Sequence, residues 1–186
     1  ASFFSNVLAV DRVRYQAGGT LLAGCIAVTL SACSPAMNWR DVRPDDSGLV
    51  GQMPCRPASH ARDIALRGQT LRLTMHACTA QGQTFAIAWG DVANAAQVEG
   101  ALVALKEATL ANTAASDRSP VTMPLSVRGA TAQRAAGRWA WRGMLGSGAQ
   151  GIESVDTQTA LFARGTRVVQ ASVVGRVIQP DDAELF

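Results

Sequence analysis

The feature that most constrains this fold is a change in hydrophobic period partway along the chain. Residues 69–78 and 84–89 alternate between apolar and polar side chains, which is typical of β-strands with one buried face. The turn at 80–83 joins them and predicts a β-hairpin. Residues 94–112 then place apolar side chains three and four positions apart, the period of an amphipathic helix.

The predicted helix has one apolar stripe and a signal for its start. Asn94 followed three residues later by Gln97 fits a capping box. The apolar stripe is formed by Val98, Leu102, Leu105 and Thr109. We therefore expect this helix to pack on the predicted sheet through that stripe.

Further strand-like segments lie on both sides of the helix. A second helix is predicted to open at Pro180, because proline suits the first helical turn. This order predicts an α+β fold, an antiparallel sheet packed on one long helix plus a C-terminal helix. The additional predicted strands lie within residues 49–54, 60–68, 121–127, 138–145, 157–163 and 167–175.

The N-terminal segment has the pattern of a lipoprotein signal peptide covering residues 1–32. Arg12 and Arg14 precede an apolar run that ends in "LSAC" at Cys33. This motif resembles the bacterial lipobox, in which the cysteine is acylated, for example with palmitate, and becomes the first mature residue. "LAGC" at Cys25 fits the motif too, but apolar residues follow it, whereas a polar segment follows Cys33. We expect lipidation at Cys33, with a non-lipidated start or an inner-membrane anchor as alternatives.

The lipobox resemblance implies a location in the cell envelope. Ser34 resembles the sorting class of the outer membrane, so we expect an outer-membrane lipid anchor facing the periplasm. Residues 33–48 are expected to be a lipid-anchored tether and residues 49–186 a single α+β domain. Residues 1–12 are interpreted as upstream sequence outside the true leader, and the C terminus as clipped within the terminal helix.

The charge pattern bears on the partners. The formal net charge is only +3, and no segment gathers a basic stripe, so nucleic-acid binding is not expected. The expected partners are the membrane, through the N-terminal lipid, and an envelope protein or a cell-wall component.

Apart from Cys33, the expected acylation site, the mature domain has two cysteines, Cys55 and Cys78, and an even count in an oxidising compartment favours a disulfide. The bond would close a loop of 23 residues and contribute about 3 kcal/mol in the chain-entropy model. Cys78 shares a strand face with Arg72 and His76, which we expect opposite the main helix. The "MPCRP" segment should therefore cross that face.

A metal site is an alternative use of the same cysteines. With His60 and His76 they supply four ligands of the types that zinc accepts, which would suit a periplasmic hydrolase or metal-handling protein. The spacing lacks a tight C-x2-C knuckle, and free thiols are a third possibility. We expect no metal, no cofactor and no catalytic residue. "GSGAQG" at 146–151 lacks the strand-then-helix context of a dinucleotide site and is interpreted as a hairpin loop.

The string "RWAWR" is the strongest candidate for binding. Trp139 and Trp141 share one strand face, where they could stack on a sugar or peptide, and Arg138 and Arg142 on the other could hold an anion. The favoured interpretation is that both tryptophans are core residues. Trp39, in the predicted tether, is expected to be exposed and able to contact the membrane interface or a partner.

Four features of the sequence resemble those of a group of uncharacterised proteobacterial exported lipoproteins. They are "NWR" at 38–40, "PCRP" at 54–57, Cys78 before a turn, and "FARGTRVVQASVVG" at 162–175. The order of elements is also similar to the Mog1/PsbP-like sandwich. Neither resemblance implies an activity, because fold alone does not determine function. The expectation is a non-catalytic cell-envelope lipoprotein acting as an accessory or binding module.

Overall fold

Nine β-strands and one α-helix form the described part of the protein. The computed structural model describes residues 37–66, 68–115, 120–146 and 151–178. The strands are β1 (Arg40–Val42), β2 (Gly51–Met53), β3 (Ala58–Leu66), β4 (Gln69–Ala80), β5 (Gln83–Asp91), β6 (Val121–Met123), β7 (Gly137–Gly146), β8 (Ile152–Arg164) and β9 (Arg167–Gly175). The helix, α1, spans Val98–Asn112 after a single 3-10 turn at Ala95–Gln97.

Seven of the strands form one antiparallel sheet in the order β3-β4-β5-β9-β8-β7-β6. The predicted hairpin is confirmed as β4 and β5, which pair from Thr74 opposite Trp89 to Ala80 opposite Gln83. Gln81 and Gly82 connect them with φ angles of 49° and 73°. Both residues thus have a left-handed backbone conformation. Two-residue hairpin turns whose twist matches that of the strands require this conformation.

The two faces of β5 carry side chains of very different size. Ala86 lies opposite Ala77, and Ala88 lies opposite Met75, on the face that α1 covers. Phe85, Ile87 and Trp89 lie on the other face and are buried there. The predicted alternation is therefore correct, and both faces of this central strand are covered.

Helix α1 packs on the sheet through the predicted stripe. Val98, Leu102 and Leu105 are at most 3% exposed and belong to one core cluster with residues of β4, β8 and β9. The capping-box prediction is wrong. Within the described residues Asn94 makes no side-chain cap, and the Gln97 Oε1 atom accepts from the Ala93 N–H at 3.1 Å. The cause is the 3-10 turn, which moves the start of α1 by one turn and makes Gln97 its N-cap residue.

The C-terminal end of α1 is attached to β7. The Trp141 Nε1–H donates to Thr113 Oγ1 at 2.9 Å, and the Met144 N–H donates to the Thr113 carbonyl at 2.6 Å. A Cβ atom at Gly143 would collide with that same carbonyl oxygen. Glycine is therefore required here for the close approach of the two backbones.

Residues 37–57, which we call the strap, cover the face opposite α1. Within the strap β1 pairs with β2, and Val42 and Met53 are buried against the large side chains of β5. The Trp39 ring lies half-buried, with its centroid 5.8 Å from that of Phe85 in an edge-on arrangement. The prediction of an exposed Trp39 is wrong, because the apolar face of β5 needs a cover that this part of the chain supplies.

The expected α+β class is confirmed, with its antiparallel sheet and one long helix. The predicted C-terminal helix at Pro180 lies outside the described residues, as do the leader and Cys33. Among the helices described, none has the length and hydropathy needed to cross a membrane.

Candidate functional site

The disulfide prediction is confirmed. Cys55 at the end of the strap is bonded to Cys78 on β4, with their Cα atoms 5.9 Å apart. The bond lies on the face opposite α1, as the alternation in β4 predicts, because Cys78 packs with the core of that face. The strap is thus covalently attached to an interior strand of the sheet.

The four residues considered for zinc are not brought together. Both sulfurs are consumed in the disulfide, so neither is a thiolate ligand. His60 pairs with Met75 on the α1 side, while His76 pairs with Ser59 on the strap side, so the two imidazoles lie on opposite faces. No group of three or more potential metal ligands occurs in the described ranges.

His76 lies on the strap side of β4. Its ring lies edge-on to Trp89, with centroids 5.1 Å apart. Its Nδ1 atom is buried and has no hydrogen-bond partner among the described residues. Burial lowers the pKa of His76 below its ordinary value, and the charge of Asp45 opposes this shift in part. The environment therefore favours the neutral imidazole.

The two tryptophans of β7 are core residues. Trp139 is 8% and Trp141 6% exposed, and both pack under α1. The Lys106 ammonium lies 3.8 Å from the centroid of the Trp139 ring, a cation–π contact, and burial lowers the pKa of this lysine. The aromatic rings are therefore not presented to a ligand on the surface.

The arginines of the same string lie on the other face of β7. The Arg142 guanidinium donates to both Asp156 carboxylate oxygens, at 2.7 and 3.1 Å, and this hydrogen bonding raises its pKa. Arg138 donates to Gln158 Oε1 at 2.9 Å and lines a shallow groove of about 280 Å³ beside Pro124. The predicted set of two tryptophans and two arginines is thus divided between the faces of the sheet.

The "GSGAQG" segment connects β7 to β8, which pair at Gly146 and Ile152. Strands on both sides agree with a hairpin connection rather than a dinucleotide site, which needs a helix after the glycines. Residues 147–150 themselves lie outside the described ranges.

A cleft of about 220 Å³ lies between α1 and the sheet, near the edge strand β3. The floor is formed by Leu73, Met75, Ala86 and Ala88, and Leu105 and Ala108 of α1 form one wall. Alanine occupies two positions of β5 on the α1 side, Ala86 and Ala88, and these short side chains line the cleft. The remaining lining residues are Arg62, Ile64, Ala65, Thr109, Asn112, Gln170 and Ser172.

A polar network closes the inner end of the cleft. The Gln170 side-chain amide donates to Thr109 Oγ1 and to Ser172 Oγ, at 3.1 Å each. Ser172 Oγ is in turn 2.9 Å from Thr159 Oγ1, and the Thr109 hydroxyl donates to the Leu105 carbonyl. These groups therefore satisfy one another and fix the shape of the inner end.

Arg62 is the one charged residue among the described residues that line the cleft. It lies on β3 opposite Leu73, on the α1 side, while the next residue, Asp63, faces the other side and pairs with Arg72 at 3.3 Å. Burial lowers the pKa of Arg62, because the partly desolvated site disfavours a cation.

Sequence reasoning missed the cleft. The signal lay in β5, where large side chains at 85, 87 and 89 alternate with alanine at 86 and 88. Sequence reasoning assigned a face only to the large residues, and the two alanines prove to lie on the side of the sheet that lines the cleft.

Comparison of the chain with protein-family models, with curated proteins and with solved structures finds no match in any of the three. The resemblances drawn from short motifs therefore stay predictions, and the function is argued from the chain's own geometry.

Proposed function

We propose that this protein is a non-catalytic, lipid-anchored binding module of the cell envelope that takes a small apolar ligand into the cleft beside α1. The observation that carries the proposal is the cleft itself. It combines a wide apolar floor with a few fixed polar groups, the composition of small-molecule sites in general.

The envelope location is supported by two independent features. The lipobox-like sequence at Cys33 is one. The Cys55–Cys78 disulfide is the other, because such bonds persist in the periplasm and are rare in the cytosol. An outer-membrane anchor facing the periplasm fits both features.

The placement of the strap also suits an anchored binding module. Chain from the lipid end enters at Met37, whose side chain packs on the strap face of the sheet. The cleft lies on the α1 face, on the other side of the same sheet. An anchor on one face would leave the cleft accessible to a ligand or to a delivering envelope protein.

The alternative of a hydrolase or metal-handling protein drew its support from the Cys55, His60, His76 and Cys78 set. That set is divided by the disulfide and by the two faces of the sheet. The geometry therefore favours binding over this particular chemistry.

The test is titration of the purified full chain with the neutral fluorophore N-phenyl-1-naphthylamine. We expect saturable binding to one site, and at least a tenfold weaker affinity in Ala88→Phe, whose ring would fill the floor. Ala108→Phe narrows the cleft from the exposed helix wall and should act likewise without overpacking the sheet.

Ala61→Phe is the matched control, because Ala61 is exposed on the opposite face of the adjacent edge strand. Affinity equal to wild type in all three variants, or no saturable binding by the wild type, would show that the cleft is not a ligand site.

A further inference from the structure

We infer that the ligand of this cleft is an uncharged single-chain amphiphile of about nine carbon atoms, with its alkyl chain on the apolar floor and a terminal hydroxyl at the inner end. The inference rests on the proposed binding function and names the chemical class of its ligand.

The size of the cleft limits the length of the chain. An apolar cavity of about 150 Å³ in another protein holds one benzene molecule, which corresponds to about 25 Å³ for each carbon atom. At about 220 Å³, this cleft therefore has room for about nine carbon atoms. Met75, on the floor, is a flexible side chain that can adapt to the shape of an unbranched chain.

The hydrogen bonds at the inner end leave an acceptor of Gln170 unused. The Thr109 hydroxyl donates to the Leu105 carbonyl at 2.7 Å, so toward Gln170 its oxygen acts as the acceptor. This places the amide nitrogen of Gln170 beside Thr109 and Ser172, where both of its N–H groups are used. Within the described part of the chain, the Gln170 Oε1 atom accepts no hydrogen bond. A ligand that donates a hydrogen bond can therefore be held here.

Asn112 supplies a donor close to this acceptor. It lines the cleft from the last turn of α1, three positions after Thr109, so the two side chains are neighbours on the helix surface. Its side-chain amide makes no hydrogen bond with the described residues. A hydroxyl group both donates and accepts, so it can donate to Gln170 Oε1 and accept from Asn112 Nδ2.

The inner end does not suit an ionised headgroup. Arg62 is the one charged residue among the described residues of the lining, and it already has an interaction within the chain. Arg62 lies on β3 and Gln170 on β9, three strands away in the sheet, so their backbones are about 14 Å apart. A carboxylate or an ammonium group at the inner end would lose its water without gaining an opposite charge, which is costly. The ligand is therefore neutral.

Calorimetric titration of the full chain with straight-chain alcohols, near neutral pH, tests the size and charge of the ligand. From 1-hexanol to 1-nonanol, the affinity should rise about fourfold for each added methylene. Beyond about nine carbons the increase should level off, because the cleft is then full. Nonanoate and nonylammonium should each bind at least tenfold more weakly than 1-nonanol, because each carries a charge that the inner end does not neutralise.

Asn112→Leu tests the contact with the hydroxyl, because leucine has a similar volume and cannot form a hydrogen bond. This variant should bind 1-nonanol about 3- to 10-fold more weakly, the value of one hydrogen bond. Ethylbenzene, a hydrocarbon of similar size, should bind the variant at least as tightly as it binds the wild type. A folding defect would instead weaken both ligands together.

Asn112→Asp is a second variant, in which a gain is expected. It places a carboxylate at the inner end, so nonylammonium should bind it at least tenfold more tightly than it binds the wild type. A folding defect cannot produce that gain. Asn94→Leu is the matched control, since Asn94 is exposed ahead of α1 and does not line the cleft. It should change none of these affinities.

Three results would overturn the inference. They are a wild type that binds nonanoate or nonylammonium as tightly as 1-nonanol, an Asn112→Leu variant with undiminished affinity for 1-nonanol, and an Asn112→Asp variant without the gain for nonylammonium. If N-phenyl-1-naphthylamine still binds in the cleft in any of these cases, the proposed function stands and only the class assigned to the ligand fails.

Discussion

Single side chains on β5 decide what each face of the sheet can do. Phe85, Ile87 and Trp89 are large and require a cover, which the strap supplies. Ala86 and Ala88 are small and leave space beneath α1. Polarity alternation alone could predict that both sets are buried. It could not predict the space, because the distance between α1 and the sheet is set by residues elsewhere.

His76 is the residue whose protonation should alter stability. Its pKa in the folded protein lies below the ordinary 6.5, chiefly because of burial. The unfolded chain therefore binds more protons below that pH, and the free energy of unfolding should fall as the pH is lowered from about 8 to about 5. Thermal unfolding across this range should show a smaller fall for His76→Gln than for the wild type.

His60→Gln is the control for that prediction, because His60 is exposed on the opposite face. Its unfolding temperature should follow the wild-type pH dependence. Identical pH profiles for wild type and His76→Gln would contradict a lowered pKa of this partly buried imidazole.

At the scale of elements, α1 is held by a fully buried apolar stripe. Leu102 is 0% exposed and lies in the core between α1 and the sheet. Leu102→Ala should lower the free energy of unfolding by roughly 2–5 kcal/mol, because it removes buried methyl groups and leaves a cavity. Urea unfolding measures the change.

Val103→Ala is the comparison within the same helix, since Val103 is only partly buried and turns away from Leu102. Val103→Ala should lower the free energy of unfolding by well under half as much as Leu102→Ala does. A loss below about 0.5 kcal/mol for Leu102→Ala would mean that this face of α1 does not hold the sheet.

The strap depends on its disulfide. Replacing both Cys55 and Cys78 with alanine should lower the free energy of unfolding by about 3 kcal/mol, because the unfolded chain regains the entropy of a 23-residue loop. Reducing the disulfide of the wild type should lower the free energy of unfolding by about the same amount. The same reducing agent should not change the stability of the double variant. Free reactive thiols at both positions, in the protein denatured without reduction, would contradict the bond.

The elements with a local pattern were predictable, and those held by distant contacts were not. The β4–β5 hairpin and α1 each have a hydrophobic period within a single segment, and both predictions are confirmed. By contrast, β1 pairs with β2, which begins nine residues after β1 ends, and Trp39 packs against Phe85 of the distant strand β5. The polar residues around Trp39 have no regular period, so nothing local indicated its burial.

The whole molecule combines an expected lipid anchor with a sheet whose central strand, β5, is covered on both faces. Lipidation at Cys33 stays a prediction, because that residue lies outside the described ranges. Replacing Cys33 with serine should stop acyl labelling and leave the precursor unprocessed, because serine lacks the thiol that is acylated. Labelling is followed with a radioactive or alkyne-bearing fatty acid in cells.

Cys25→Ser is the control, because "LAGC" is the competing motif. It should leave labelling and processing unchanged. Loss of labelling in Cys25→Ser, with normal labelling in Cys33→Ser, would assign the anchor to the earlier cysteine.

The attachment of the strap has a mechanical consequence for a protein pulled from its N-terminal end. Without the disulfide, tension that had detached the strap would next pull on β3, an edge strand that can unzip one hydrogen bond at a time. With the bond in place, the load passes from Cys55 directly into Cys78 on β4. The residues between the two cysteines, including all of β3, are bypassed by the force. The interior strands of the sheet carry it instead.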